Sequence, residues 1–412
     1  MRRAVITGVG PVTPIGIGKE DFWAGLRHGR SAVERLTTFD PSALRSQMAA
    51  EVRAYHPQDY FSDKELKRLD RFSQFALVAA RLAVADAGLD LPTEDRQRVG
   101  ITLGSALGGL SFAEKQVSAF HERGLHGVEP SLAFSVFCGA GSCQIAIAHG
   151  ITGPAWANSN SCASGTIALG EALQWIRRGE ADLVLAGGSE APLAPLCYGA
   201  FALIRAMSSC NDDPAHACRP FDAQRDGFVM AEGAAMLVVE ELEHAQTRGA
   251  HIYGELVGYG LTNDAFHMTA PHPTGEQAAR CMRLALDDAA LRPEEIDYVN
   301  AHGSATPLND KTETMALKSV FGAHAARMAI SGTKGHHGHA LGATGAFEAV
   351  ACALALEEQY VPPTLSLDTP DPECDLDYTP NQGRTRALDV ILSNSFGFGG
   401  INACLVMRRL AA

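Results

Sequence analysis

Apolar positions along this chain alternate between short continuous runs and runs at helical spacing. Residues 4–8, 99–103, 182–188 and 234–240 are short, apolar and bounded by glycine or charge, and they predict buried strands. Residues 19–29 and 64–89 predict helices, the second with an alanine face of Ala76, Ala79, Ala80, Ala83 and Ala85 suited to close packing. Residues 129–153 read as helical in part, with a stop at Gly150. Ile167, Leu169, Leu173, Trp175 and Ile176 fall at helical spacing, and Gly179 closes that run. Residues 241–248 read as a helical turn.

From about residue 250 the pattern starts again. The run Cys281-Met-Arg-Leu-Ala-Leu-Asp-Asp-Ala289 leads through Pro293 to a strand ending in Gly303-Ser304. It echoes Ala79-Ala-Arg-Leu-Ala-Val-Ala-Asp-Ala87, which leads through Pro92 to a strand ending in Gly104-Ser105. Gly342-Ala-Thr-Gly345 opens a helix through Leu356, as Cys162–Gly165 does earlier, and residues 390–393 and 403–407 read as a closing antiparallel pair. Two such halves, residues 1–249 and 250–412, predict a duplicated, layered α/β fold and not two independent domains.

Composition narrows the function classes. The chain has 412 residues, 46% hydrophobic and 20% charged, ordinary for a globular protein. A net charge of −13 argues against nucleic acid as a general partner. No apolar run reaches about 18 residues and no basic-then-apolar leader is read, so neither a membrane span nor a signal peptide is expected. Ten cysteines without a CxxC pair fit reduced thiols in a cytoplasm. The first strand enters what reads as a glycine-rich loop, Gly8-Val-Gly10-Pro11, but Thr13 stands where a dinucleotide fingerprint needs glycine, so nucleotide binding is rejected there.

Three stretches can carry chemistry. Asn158-Ser-Asn-Ser-Cys162-Ala-Ser-Gly165 puts a cysteine at a helix N-terminus, where unpaired N–H groups favour a thiolate; a buried structural cysteine is the other reading. Val299-Asn-Ala-His302-Gly-Ser304 places a histidine at a strand end. Lys334-Gly-His336-His337-Gly-His339 gathers a lysine and three histidines. A metal site from His336, His337 and His339 competes there with a neutral imidazole that donates to a developing oxyanion. The second is favoured, because adjacent rings rarely converge on one ion and no carboxylate or cysteine is near. The amides of Asn394-Ser-Phe-Gly-Phe398-Gly-Gly400, a glycine-rich turn, suit an oxyanion hole.

These stretches stand with VITGVGPVTPIG, RPFDAQRDGFVMAEGAAMLVVEELEHA, VNAHGSATPLND, TKGHHGHALGATGA and NSFGFGG in an order that resembles the elongating beta-ketoacyl-acyl carrier protein synthases of the thiolase superfamily, nearly end to end. The resemblance implies the thiolase fold, five alternating α-β-α-β-α layers, and decarboxylative Claisen condensation without cofactor or metal. It implies that Cys162 accepts the acyl chain, that His302 and His339 hold the malonyl thioester, and that Lys334, paired with Glu313, tunes the site. The amides of Cys162 and Phe398 would form the oxyanion hole, with Phe398 as gate; Leu107, Phe134 and Phe137 would line the acyl tunnel. The partners implied are an acidic acyl carrier protein, docking on Lys64, Lys67, Arg68 and Arg205, and a second subunit: a copy of the chain or a chain-length-factor paralogue. Lys64, Lys67 and Arg68 read equally as a solvated helix face. Gly335-His336-His337, Ile401 and Pro307-Leu-Asn-Asp310 depart from the family pattern and point toward a specialised polyketide or polyene pathway. A thiolase is the alternative, but it would need a second cysteine in the C-terminal loop, which NSFGFGGIN lacks; a non-catalytic chain-length subunit would lack Cys162.

Overall fold

The computed structural model describes residues 2–410. Its first half runs β1 (Ala4–Thr13), α1 (Arg71–Asp86), β2 (Val99–Gly104), α2 (Ala140–His149), β3 (Ala155–Asn158), α3 (Ser164–Arg178), β4 (Leu183–Glu190) and β5 (Gly233–Glu241). The second repeats the sequence of elements as β6 (Gly254–Asn263), α4 (Glu276–Asp288), β7 (Tyr298–Asn300), α5 (Pro307–Phe321), β8 (Ala329–Ser331), α6 (Thr344–Glu358), β9 (Val390–Gly397) and β10 (Ile401–Arg408). Strand order is β1-β5-β4-β2-β3 in one half and β6-β10-β9-β7-β8 in the other. In both, the last two strands of the half run antiparallel and the rest of the crossover strands run parallel. The expected duplication is therefore present strand for strand.

The layers follow from which helix faces are apolar. Helix α3 packs on β2 and β4 of its own half and on β6 and β10 of the other; α6 packs on β9 and also on β5 and β1. Both helices are buried nearly all round, as a layer between two sheets must be. Helices α1 and α2 cover one outer face, α4 and α5 the other. This is the five-layered arrangement of the thiolase fold, with one addition: β1 pairs with β6 over Ala4–Ile6, so the two sheets join along one edge.

The local differences from expectation have physical causes. Residues 64–89 are not one helix. A turn at Asp63–Leu66 ends, and the Asp70 carboxylate caps a new helix by accepting from Phe72 N–H at 3.2 Å. Gly8-Val-Gly10-Pro11 is not a loop but the middle of β1, kinked by a bulge between Ile6 and Gly8. Its glycines are spacers. A Cβ at Gly8 would lie 2.3 Å from Ala83 O, and one at Gly10 2.1 Å from Ala79 O. Gly258 and Gly260 of β6 meet Ala285 O and Cys281 O of α4 in the same way, each at 2.2 Å. The Ala79–Ala87 and Cys281–Ala289 echo is thus the record of two helices pressed onto bare strands.

This approach makes a prediction. Gly10→Val has no room between β1 and α1 and should destabilise the fold by about 1–3 kcal/mol or more. Calorimetry should show a clear fall in thermal midpoint; an unchanged midpoint would mean the helix can ride outward at no cost.

Candidate active site

The N-terminal end of α3 carries Cys162 on a single 3-10 turn, Ser161–Ala163. The polar run before it builds that turn. Asn158 Nδ2 donates to Ser164 O at 3.0 Å, Asn160 N–H to Ser164 Oγ at 2.8 Å, and Ser164 Oγ to Ser161 O at 2.7 Å. Ser161 is held at φ 52°, a left-handed conformation that a non-glycine residue adopts only when its surroundings compel it. A Cβ at Gly397, the last residue of β9, would stand 3.1 Å from Cys162 N, so the bare Gly397 leaves the face of this elbow clear.

Helix α6 is the partner of α3 in the middle layer, and the segment before it brings His339 to the cysteine. His339 Nε2 lies 3.1 Å from Cys162 Sγ, and its Nδ1 lies 2.9 Å from Thr344 Oγ1 on the first turn of α6. His302, just beyond β7, stands edge-on to His339 with ring centroids 5.5 Å apart. Lys334 Nζ donates to the His302 carbonyl and to Glu348 Oε1 (2.6 Å for the latter), and stands 3.5 Å from His302 Nδ1. An ammonium can only donate, so His302 Nδ1 is the acceptor and its proton sits on Nε2. All of these side chains are buried.

Burial sets the charges. It holds both His302 and His339 well below the usual imidazole range, helped by the nearby Lys334, so both rings are neutral near pH 7. It also pushes the Cys162 thiol up, against the lowering effects of Ser161, Lys334 and the Phe398 amide. Desolvation thus opposes the thiolate expected at the helix N-terminus. Burial likewise raises Glu348 to about 7, with Lys334 opposing.

The sequence pairing of Lys334 with Glu313 is also corrected. Lys334 bonds Glu348 instead. Glu313 accepts from the amides of His302 at 2.8 Å and Gly303 at 2.9 Å and from Asn394 Nδ2 at 3.0 Å, so it fixes the backbone that carries His302. Glu348, the missed member, lies mid-helix among alanines with no motif around it. The other two histidines face elsewhere. His336 Nε2 meets Pro363 O, while His337 meets Gly338 O and Thr333 Oγ1, so the three rings do not converge.

A cavity of about 330 Å3 opens over Cys162, His302 and His339. Its outer wall includes Arg205, Asp264, Thr269, Ser304, Thr306 and Asn309, and Phe398 stacks on Phe201 at its edge. Leu107 is half-buried against the apolar cluster that contains Cys162, Leu193 and Phe398, but does not itself line this cavity. Phe134 and Phe137 do not line this cavity. They are 44% and 47% exposed, because their short turn at 132–137 lies on the outside with nothing of this chain above it. Lys64, Lys67, Arg68 and Arg205 are exposed.

Comparison with known proteins agrees along the whole chain. The beta-ketoacyl synthase N-terminal domain matches residues 1–245 and the C-terminal domain residues 253–368. The chain is 45% identical to 3-oxoacyl-[acyl-carrier-protein] synthase 2 of Synechocystis sp. over 99% of this chain and 98% of that one. It is 48% identical to putative polyketide beta-ketoacyl synthase 1 of Streptomyces cyaneus, over 98% of each. Among solved structures, the ishigamide ketosynthase/chain length factor superposes with TM-score 0.93 at 36% identity. A type II PKS ketosynthase in complex with its acyl-carrier protein, bound to the hexaketide, superposes with TM-score 0.92 at 38% identity; both matches cover 100% of each chain.

The buried pair can be tested by stability. Lys334→Met strands Glu348 without its cation and should cost about 3–5 kcal/mol at pH 8. The loss should be smaller at pH 6, because a carboxyl whose folded pKa already stands near 7, above its ordinary 4.5, takes a proton there. The double variant Lys334→Met/Glu348→Leu should recover most of that stability in denaturant titrations. Equal losses in the single and double variants would show that the pair is not what links them.

Proposed function

The chain belongs to the beta-ketoacyl synthase family, and on that premise we propose how its own residues divide the work of condensation. It is a 3-oxoacyl-[acyl-carrier-protein] synthase, an acyltransferase that extends a fatty-acyl or polyketide chain by decarboxylative Claisen condensation. The observation that carries the residue assignment is the convergence of Cys162 Sγ and two neutral imidazoles on one cavity.

Cys162 Sγ attacks the thioester carbonyl of the acyl-loaded carrier protein. The amides of Cys162 and Phe398 take the oxyanion, the carrier thiolate leaves, and the thiol proton follows it. Malonyl carrier protein then enters. The Nε2–H of His302, oriented by Lys334, and that of His339, with the Thr344 hydroxyl donating to its Nδ1, hold the thioester oxygen. The C–C bond to the carboxylate breaks, carbon dioxide leaves, and its electron pair becomes the enolate. Neutral donors suit this step: a charged imidazolium would also pair with the carboxylate that must depart. The enolate attacks the acyl carbonyl on Cys162, the sulfur leaves as thiolate, and it takes up one proton. Lys334 and Glu313 act as positioning residues, and Phe398 as the gate between tunnel and mouth.

Lys64, Lys67, Arg68 and Arg205 serve as the docking surface for the acidic carrier protein, since all four are exposed and Arg205 stands at the cavity mouth. A second subunit, a copy or a chain-length-factor paralogue, closes over the exposed Phe134 and Phe137 and completes the acyl tunnel with Leu107. We assign the reaction to the cytoplasm, a reading that reduced thiols support. The cysteines are free and, among the described residues, no helix is long and apolar enough to cross a membrane.

Cys162→Ala should abolish condensation while leaving the fold intact by circular dichroism. His339→Ala should slow malonyl decarboxylation by about 100-fold or more, with a smaller loss in acyl transfer to Cys162, read by intact mass. Equal loss in both half-reactions would remove the assigned role of His339.

A further inference from the structure

The duplication yields two elbows, and only one is armed. Ser161-Cys162-Ala163 and Leu341-Gly342-Ala343 are both single 3-10 turns that precede helices of 15 residues, and both open on a left-handed residue, Ser161 at φ 52° and Leu341 at φ 42°. Each faces the end of a strand from the opposite half: Cys162 faces Gly397, the last residue of β9, and Gly342 faces Glu190, the last residue of β4. Gly397 has no side chain and leaves the Cys162 amide uncovered. Glu190 reaches across and covers its counterpart, accepting from Gly342 N–H at 3.1 Å.

The same carboxylate grips the loop that follows β2. It accepts from Ala106 N–H at 2.7 Å, Leu107 N–H at 3.1 Å and Ser105 Oγ at 3.2 Å, while Gly108 N–H donates to Ser105 Oγ at 2.9 Å. Glu190 has no exposed surface, and no cation is bonded to it. Burial pushes this carboxyl up to about 7, against four protein donors that favour its charged form. That loop carries Ala106 and Leu107, which pack beside Cys162 and Phe398 in one apolar cluster.

We propose that Glu190 is a positioning residue for acyl-chain selection: by filling the unarmed elbow it fixes the Ser105–Leu107 loop, and with it the apolar wall beside Cys162. The inference rests on Leu107 facing the acyl chain. The carboxylate does not touch the reacting atoms, and three of its four bonds go to the Ser105–Leu107 loop beside Cys162, so acylation should respond more than malonyl decarboxylation. Glu190→Gln keeps the size but has one acceptor oxygen for four donors, and the loop loosens. Glu190→Asp keeps the carboxyl with a shorter reach.

The test compares acyl transfer to Cys162 from carrier proteins loaded with short and long chains, by intact mass, with carbon dioxide release from malonyl carrier protein measured separately. Glu190→Gln should change the long-to-short ratio of kcat/KM by about tenfold, while decarboxylation stays within about twofold. Glu190→Asp should restore part of the parent ratio. Should Glu190→Gln fail to fold, Ser105→Ala, which removes one bond to the carboxylate and one to Gly108, should move the ratio in the same direction. An unchanged ratio in whichever of these folds, or parallel loss in both half-reactions, overturns the proposal. If the parent protein takes no acyl group from any donor, the condensing reading falls and this inference with it. That result is distinct from an active parent whose variants keep its chain preference.

Discussion

A lysine and a glutamate buried against each other in the middle layer are the constraint around which this site is arranged. Neither side chain of the Lys334–Glu348 pair has any exposure. A charge there must be met by protein groups, and Lys334 meets it by donating to Glu348 and to the carbonyl of His302 while standing over the ring nitrogen of that histidine. One ammonium therefore sets a tautomer, holds a backbone and helps burial keep two imidazoles neutral. All three effects need the dry interior between two sheets, which only the five-layered stacking supplies.

How much of this was legible in the sequence depended on whether the signal was local. Cys162, His302 and His339 each sit in a dense motif, and the structure brings them together across 177 residues. Glu348 had no such signal: it is one carboxylate in an alanine-rich helix, and its meaning comes from the opposite side of the layer. Glu313 was paired with Lys334 by resemblance alone, yet in three dimensions it takes the amides of His302 and Gly303. Gly8 and Gly10 show the reverse error. Their composition reads as a turn, but they are bare because a helix lies on them. Phe134 and Phe137 were placed by resemblance alone, and a single chain gives them no partner.

The duplication itself was visible in the pairing of Ala79–Ala87 with Cys281–Ala289, and the structure extends it to every strand. Its value to the chemistry lies in where the halves differ. Gly397 and Glu190 occupy corresponding strand ends, one opening an elbow and the other stopping it. Of the two equivalent turns one is reactive and the other anchored, and the loop beside the nucleophile is tied to the anchored one.

The three-residue pairing of β1 with β6 joins the sheets along one edge and has a consequence for how the polypeptide can be divided. Cutting near residue 250 would expose an unpaired strand border on each fragment, and would strip α3 and α6 of the opposite wall against which each is packed. Neither fragment would then possess a closed interior, and each would present raw sheet to its neighbours, so the separated pieces are aggregation-prone and not portable modules.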